Sequence, residues 1–461
     1  MLHLFLQYTI ISHLHVGCFP VRRQITSTED FMKTQKLSKG ISAIICIVIA
    51  GMLIGCGTRK KKSDNLTFMV WGDVYNRPFF ESLARQYNKT NPKVKVEIFA
   101  PPAQYFDKLV TMAAGNNLCD VTLMAGPQYD LLAYKEQLLP LDDYFKSPQF
   151  ADVLPHIMPN TIIDGKRRGK VYGMPVWTWT INFYYNKSLL ERFGVGELTG
   201  KWNWNDFLNI CRKVTRRDNI KERSFGSDLL TGGHYIQHDI MLKQNGLSLF
   251  SSDMQRCVIN SPAHFKIYQY LFDLTLKHKV CVTKGEAESV TSEAGKGGAF
   301  GSGMVAFRSG GREQADIMNK ARLPFTWDVV KLPTDSKDAF VTVNAYVGIS
   351  KNTKKSEAAH AFVKWLAGEQ GQRLITLRRM DISVYKPLTY SSQFENMLGM
   401  RRMNILYRDC IENAVPADPR FPNIQEFQEI IKNKYELVNE GGYDLRRALN
   451  EIAAAYDNLK E

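Results

Sequence analysis

Three groups of residues in this chain have types and spacings that could do chemistry: a histidine pair, a glycine-rich segment and clustered tryptophans. His234 and His238 stand four residues apart, so a helix would place both on one face, the arrangement of a metal-ligand pair. No glutamate follows His234 in the HExxH manner and no third ligand is evident, so no metal is expected. Gly295 to Gly303 has the glycine content of a phosphate cradle. It lacks GxxxxGK[ST], and no GxGxxG links a strand to a helix, so it reads as a loop tip or lobe hinge. No GxSxG or triad-like motif occurs. Beyond residue 56 the cysteines are Cys119, Cys211, Cys257, Cys281 and Cys410, widely spaced and without a CxxC pair. Neither a disulfide framework nor a zinc site follows, and they read as small buried hydrophobes. What remains is aromatic: Trp71 at the end of an apolar run, and Trp177 and Trp179 in VYGMPVWTWTINFYYNK.

The elements that must position these residues follow from periodicity. Leu66 to Trp71 reads as a buried strand stopped by Gly72, and Pro78 to Asn88 as a helix with Phe79, Phe80, Leu83, Ala84 and Tyr87 on one face. Asn91-Pro92 breaks that helix, and Val94, Val96 and Ile98 alternate as the next strand. Tyr105 to Ala114 reads as a second helix and Asp120 to Met124 as a third strand. This order predicts a parallel α/β sheet, with ligands bound at strand ends such as Trp71-Gly72 and Met124-Ala125-Gly126. The run from Val171 to Lys187 reads as extended chain. Later helices are expected over Glu357 to Leu366, with Ala358, Ala361, Phe362 and Trp365 inward, and over about 424–440 and 443–459.

Composition bounds the function. With 44% apolar and 11% aromatic residues the chain is a packed globular protein. Its net charge is +14, but about half of that lies in residues 1–62, so the folded body is only modestly basic and no nucleic-acid partner is implied. Lys33, Lys36 and Lys39 precede a charge-free stretch from Gly40 to Gly55 that is too short to span a bilayer. These are the parts of a secretory signal. The closing Leu53-Ile54-Gly55-Cys56 resembles the lipobox of bacterial lipoproteins, which implies lipidation at Cys56; an uncleaved anchor is the alternative. Residues 1–31 precede this signal and are read as a mis-assigned extension, with translation starting at Met32. Residues 32–55 are then the signal peptide and 56–65 a tether, whose basic run suits anionic headgroups.

The order of short motifs resembles the extracellular solute-binding proteins of ABC importers, the family that includes maltose-binding protein. The matching pieces are Val70-Trp71-Gly72, Asn91-Pro92-Lys93-Val94, Asp120-Val121, Leu138-Leu139-Pro140-Leu141-Asp142-Asp143-Tyr144, Asp164-Gly165-Lys166 and Val171-Tyr172-Gly173-Met174-Pro175. They continue with Tyr184-Tyr185-Asn186-Lys187, Trp204-Asn205-Asp206-Phe207, Gly303-Met304-Val305-Ala306-Phe307 and Ala358 to Leu366. The resemblance implies an α/β, two-lobed periplasmic-binding-protein-like fold with a hinge of crossing segments. Lobe one would be 65–178 plus 334–385, and lobe two 183–328 plus 390–461. Crossings would fall near Pro175 to Phe183, Val329 to Pro333 and Val384 to Pro387.

The resemblance also implies a carbohydrate ligand, held by aromatic platforms and hydrogen-bonding side chains. Trp177 and Trp179 are expected to divide the roles, one facing the cleft and one packing inward. Trp71, Tyr75 and Gln128 sit at the sheet mouth. Gly232-Gly233 matches a cleft loop, which makes His234 and Tyr235 candidates. Related sugar binders often place a tryptophan after a glycine where this chain has Ser309-Gly310-Gly311-Arg312. Arg312 could instead pair a carboxylate or sulfate, which would imply an acidic sugar. Tyr346, beside Asn344, is a further candidate, and Trp202 and Trp204 are expected to be structural. The implied protein is a membrane-tethered, extracytoplasmic monomer that delivers sugar to the transmembrane subunits of an ABC permease, with no cofactor and no catalysis. The alternatives are a surface lipoprotein enzyme acting on glycans, or a ligand-sensing partner of a signalling receptor.

Overall fold

A computed structural model describes residues 65–460 apart from 74–75, 103, 219–221, 231–235, 295–297 and 379–380. Cys56, Tyr75, His234 and Tyr235 lie outside the described residues, as do the segments 1–31 and 32–55 and all of 56–65 but Asn65.

The first sheet is built from β1 (Leu66–Met69), β2 (Val96–Phe99) and β3 (Val121–Ala125), joined by the helices Asn76–Thr90 and Tyr105–Ala114. A small hairpin follows, β4 (Lys166–Arg167) with β5 (Lys170–Val171), and then β6 (Met174–Trp179). The chain next enters a second sheet made of β7 (Asn182–Asn186), β8 (Phe225–Ser227), β9 (Val305–Gly310) and β10 (Trp327–Val330). It returns to the first with β11 (Val343–Ile349) and β12 (Ile382–Ser383). Among the described residues the strand orders are β12-β6-β11-β3-β1-β2 and β10-β7-β9-β8. Helices flank both sheets, giving two lobes, each with its own apolar core.

The expected parallel sheet is parallel only where β1 pairs with β2 and β3. β11 runs antiparallel to both β3 and β6, and β12 antiparallel to β6. Strand–helix–strand crossovers enforce parallel pairing, and the first three strands are joined that way. β11 arrives from the other lobe instead, so that constraint does not apply to it. The passage between β6 and β7 is only Thr180-Ile181, and Thr180 Oγ1 donates to the Val341 carbonyl at 2.8 Å. Outgoing and returning chains are thereby tied together.

Local rules account for the elements near the site. The first helix buries Phe80, Leu83, Ala84 and Tyr87, the i, i+3, i+4, i+7 stripe of an amphipathic helix. β1 ends two residues earlier than expected, although Val70 N–H still donates to the Phe99 carbonyl at 3.0 Å. Gly72 is needed just beyond it, since a Cβ there would sit 2.1 Å from the Pro101 carbonyl oxygen. The helix Trp204–Val214 starts at a capping box between Asn203 and Asp206. Trp202 and Trp204 pack in the second core against Phe183 and Phe207, a structural role as expected. The helix Ser356–Ala367 buries Ala359, Phe362, Val363, Leu366 and Ala367, while Ala361 is exposed. Its inward face is therefore rotated from the expected one. Both faces satisfy a helical period, and packing against the first sheet selects between them. Cys119, Cys211, Cys257, Cys281 and Cys410 are buried free thiols.

Candidate functional site

Between the two sheets lies a cavity of about 820 Å³ lined from both lobes. The first lobe presents Trp71, Trp177, Trp179, Ala125, Ala345, Arg378 and Asp381. The second presents Asp228 and Leu229 after β8, Arg308 to Gly311 at the end of β9, and Glu313 and Gln314 beyond it. Ala125 is the last residue of β3 and Trp71 follows β1, so the carboxyl ends of these strands open onto the cavity, as the sheet rule anticipates.

The rings of the aromatic wall pack against one another. Trp71 and Trp177 meet edge to face with ring centroids 5.8 Å apart, and Tyr105 braces Trp71 from 6.1 Å. Trp177 is only 4% exposed, and Phe80 lies behind it. The expected division of roles between Trp177 and Trp179 does not occur: both line the cavity. Residues two apart on a strand share a face, so this outcome follows from strand geometry.

A charged cluster borders the aromatic wall. The Arg378 guanidinium lies 5.6 Å from the centre of the Trp177 ring and 5.1 Å from that of Phe79. It pairs with Asp381 at 3.1 Å and donates to Asn76 Oδ1. Burial pushes the Asp381 carboxyl up to about 6; the Arg378 charge opposes that rise and Glu313, across the cavity, adds to it. Burial likewise raises Asp228 to about 6, against the pull of Arg308.

The Asp381 shift has a measurable consequence. A native carboxyl that holds its proton up to about 6, against an ordinary value of 3.8, adds stability that is complete below the ordinary value. That stability is lost as pH rises through about 6. Compared with Asp381→Asn, the wild-type protein is therefore expected to lose melting temperature between pH 4.5 and 7.5. A difference between the two that is flat across this range would contradict the assignment.

The other expected site residues lie elsewhere. Gln128 Oε1 accepts from Ala125 N–H at 3.1 Å, holding the turn into the helix Pro127–Tyr134, and is not in the cavity lining. Arg312 does not face the cleft either. It is 1% exposed, its Nε donates to Asn404 Oδ1 at 2.8 Å, and its guanidinium lies 5.3 Å from the Phe394 ring centre. Tyr346 is 2% exposed and stacks on Tyr129 with centroids 4.3 Å apart, its hydroxyl donating to the Thr161 carbonyl at 2.9 Å. The β11 register turns it to the side of the sheet away from Ala345, which does line the cavity. His238, in the helix Ile236–Gln244, is enclosed by Tyr268, Phe272 and Tyr435, and burial pushes its pKa down to about 3. Of the glycine-rich segment, Gly298–Gly301 forms a short helix whose first two residues line the cavity.

Sequence reasoning missed Arg378, Asp381, Asp228, Arg308, Glu313 and Gln314. One signal was available. A Cβ on Gly311 would lie 2.3 Å from Glu313 Oε2, and one on Gly310 would lie 2.5 Å from Gln314 Cγ. The glycine pair thus leaves room over its backbone for the side chains of Glu313 and Gln314, and not for Arg312.

Comparison with known proteins agrees with this geometry. The family described as bacterial extracellular solute-binding protein matches residues 74–373. An arabinooligosaccharide-binding protein of Halalkalibacterium halodurans is 21% identical over 208 residues, 44% of each chain. A melibiose/raffinose/stachyose-binding protein of Bacillus subtilis is 27% identical over 181 residues, 38% of each chain. The chain thus spans less than half the length of these curated relatives. Among solved structures, an ABC substrate-binding protein from Listeria monocytogenes in complex with cycloalternan superposes with a TM-score of 0.73. The two are 20% identical, and the match covers 86% of this chain and 98% of the other. The maltose-bound MalE3 protein of T. maritima matches with a TM-score of 0.67 at 20% identity, covering 86% and 99%. The fold is accordingly two-lobed and periplasmic-binding-protein-like.

Proposed function

Because this chain belongs to the bacterial extracellular solute-binding protein family, we propose that it captures a sugar or oligosaccharide between its lobes and delivers it to an ABC permease. The observation that carries this reading is the tryptophan wall: Trp71, Trp177 and Trp179 line one cavity together with charged and amide side chains. Sugar rings offer apolar C–H faces to aromatic rings and hydroxyls to polar groups, so this pairing of surfaces suits them. The sugar-binding relatives support the same ligand class.

Transport by such a protein needs binding and closure, with no covalent step. A ligand stabilises the closed form by as much as it binds that form better than the open one. Both walls of the cavity carry polar groups, so a bound sugar would gain contacts on closure that it lacks when the lobes are apart. Lobe one is taken as 65–178 plus 334–385 and lobe two as 183–328 plus 390–461. In this reading the protein acts as a monomer and without catalysis. Residues 32–55 are removed as a signal and Cys56 carries the lipid that holds the protein near its permease. Tethering raises the effective concentration at which the two meet.

Calorimetry of the purified protein against di- and trisaccharides built from glucose, galactose and arabinose tests the reading. Saturable binding at micromolar or lower sugar, with no consumption of the sugar, is the expected result. Turnover of a glycan would replace the binding-only reading with an enzymatic one.

A further inference from the structure

The polar side of the cavity shows which kind of saccharide it takes, an inference that rests on the reading of the cleft as a sugar site. Glu313 and Asp381 line the same cavity from opposite lobes. Asp381 is held by Arg378 at 3.1 Å, and Arg308 lies close enough to Asp228 to oppose the rise of its carboxyl. Glu313 is different. The Gln314 amide Nε2 donates to Glu313 Oε1 at 3.1 Å, and among the described residues Glu313 forms no ion pair. The glycine pair 310–311 keeps the surface under it free of side chains. Arg378 lines the same cavity, with a side chain only 9% exposed.

A ligand edge placed here meets acceptors on both walls, Glu313 and Asp381, beside the positive charge of Arg378. A hydroxyl is donor and acceptor at once and answers both. A carboxylate or sulfate is an acceptor only; it would satisfy Arg378 and be repelled by Glu313 and Asp381. An ammonium is a donor only and would bring a like charge against Arg378. We propose that Glu313 and Asp381 form a cross-lobe carboxylate clasp that, with Arg378, reads the hydroxyl edge of a neutral saccharide and rejects its acidic counterpart. The acidic ligand expected from Arg312 is thereby reversed, because that arginine is turned into the second lobe.

The clasp also links recognition to closure. Two carboxylates approaching across a cleft repel each other, so closure over an empty site costs energy, while hydroxyls donated to both remove that cost. Glu313→Gln tests this without touching the aromatic wall, and Asp381→Asn tests the other half of the pair. Each protein is titrated calorimetrically with neutral oligosaccharides and with counterparts in which one unit is oxidised to a uronic acid. Thermal melts accompany each titration to verify folding. In the wild type the uronate is expected to bind at least about tenfold more weakly than the neutral sugar. Glu313→Gln should narrow that gap to within about threefold while retaining the melting temperature. A uronate that binds as tightly as the neutral sugar, or a gap unchanged in both variants, overturns the clasp. If no saccharide of either charge binds, the sugar reading of the cleft fails and takes the clasp with it.

Discussion

On the proposed reading, Trp71→Ala is expected to weaken sugar binding by on the order of 30-fold, about 2 kcal/mol, because it removes an aromatic ring from the cavity lining. Trp71 is only partly buried, braced by Tyr105 and Trp177, so its loss should lower stability much less than it lowers affinity. Trp177→Ala should behave differently. That ring is 4% exposed, packs against Phe80 and carries Arg378 over its face. Truncating it opens a core cavity and is expected to cost about 3–5 kcal/mol of stability in addition to affinity. Urea unfolding beside calorimetry separates the two. An affinity unchanged in Trp71→Ala would remove the tryptophan wall from ligand recognition.

Asp130→Ala is expected to cost about 3–5 kcal/mol of folding stability, since it leaves the charge of Arg167 buried and uncompensated. The Asp130 side chain is fully buried and that of Arg167 is 9% exposed, with Nε and Oδ1 2.5 Å apart. The pair sits in a wider buried network. Arg167 Nη1 donates to the Asp164 carbonyl at 2.6 Å, and the Tyr129 hydroxyl donates to the Gly165 carbonyl at 2.5 Å. Tyr346 stacks on Tyr129 in this same network, and that is why it is committed to structure. Replacing both ions, Asp130→Leu with Arg167→Met, should recover much of the loss, because the desolvation cost of each charge disappears with its partner. Guanidinium unfolding of the single and double variants checks both statements. A single variant within about 1 kcal/mol of wild type would show that water reaches Arg167.

The reach of the sequence can be judged element by element. The helix Tyr105–Ala114 matches its expected span because a local signal, an apolar stripe ended near Gly115, determines it. The inward face of Ser356–Ala367 was misjudged because two neighbouring stripes fit the same period, and only the opposing sheet distinguishes them. That Trp71, Trp177 and Trp179 line the cavity was legible, since a residue at a strand end or on a crossing strand has few places to go. Arg312 and Tyr346 were not legible as buried. Whether a long polar side chain turns toward a cleft or away from it depends on partners far off in sequence, here Asn404 for Arg312 and Thr161 for Tyr346.

By itself the sequence determined the family, the two-lobed α/β plan and the aromatic character of the cleft, because these rest on local periodicity and on motif order. Tertiary structure alone decided the antiparallel entry of β11 and the shared face of Trp177 and Trp179 toward the cavity. It also decided which charges meet there. Asp228, Glu313 and the Arg378–Asp381 pair come from three separate stretches of chain, and no spacing rule links residues that two different lobes bring to one cavity. Their meeting is set by the passages of chain that join the two sheets, β6 to β7 and β10 to β11. The polar half of the site is therefore a property of how the lobes are joined.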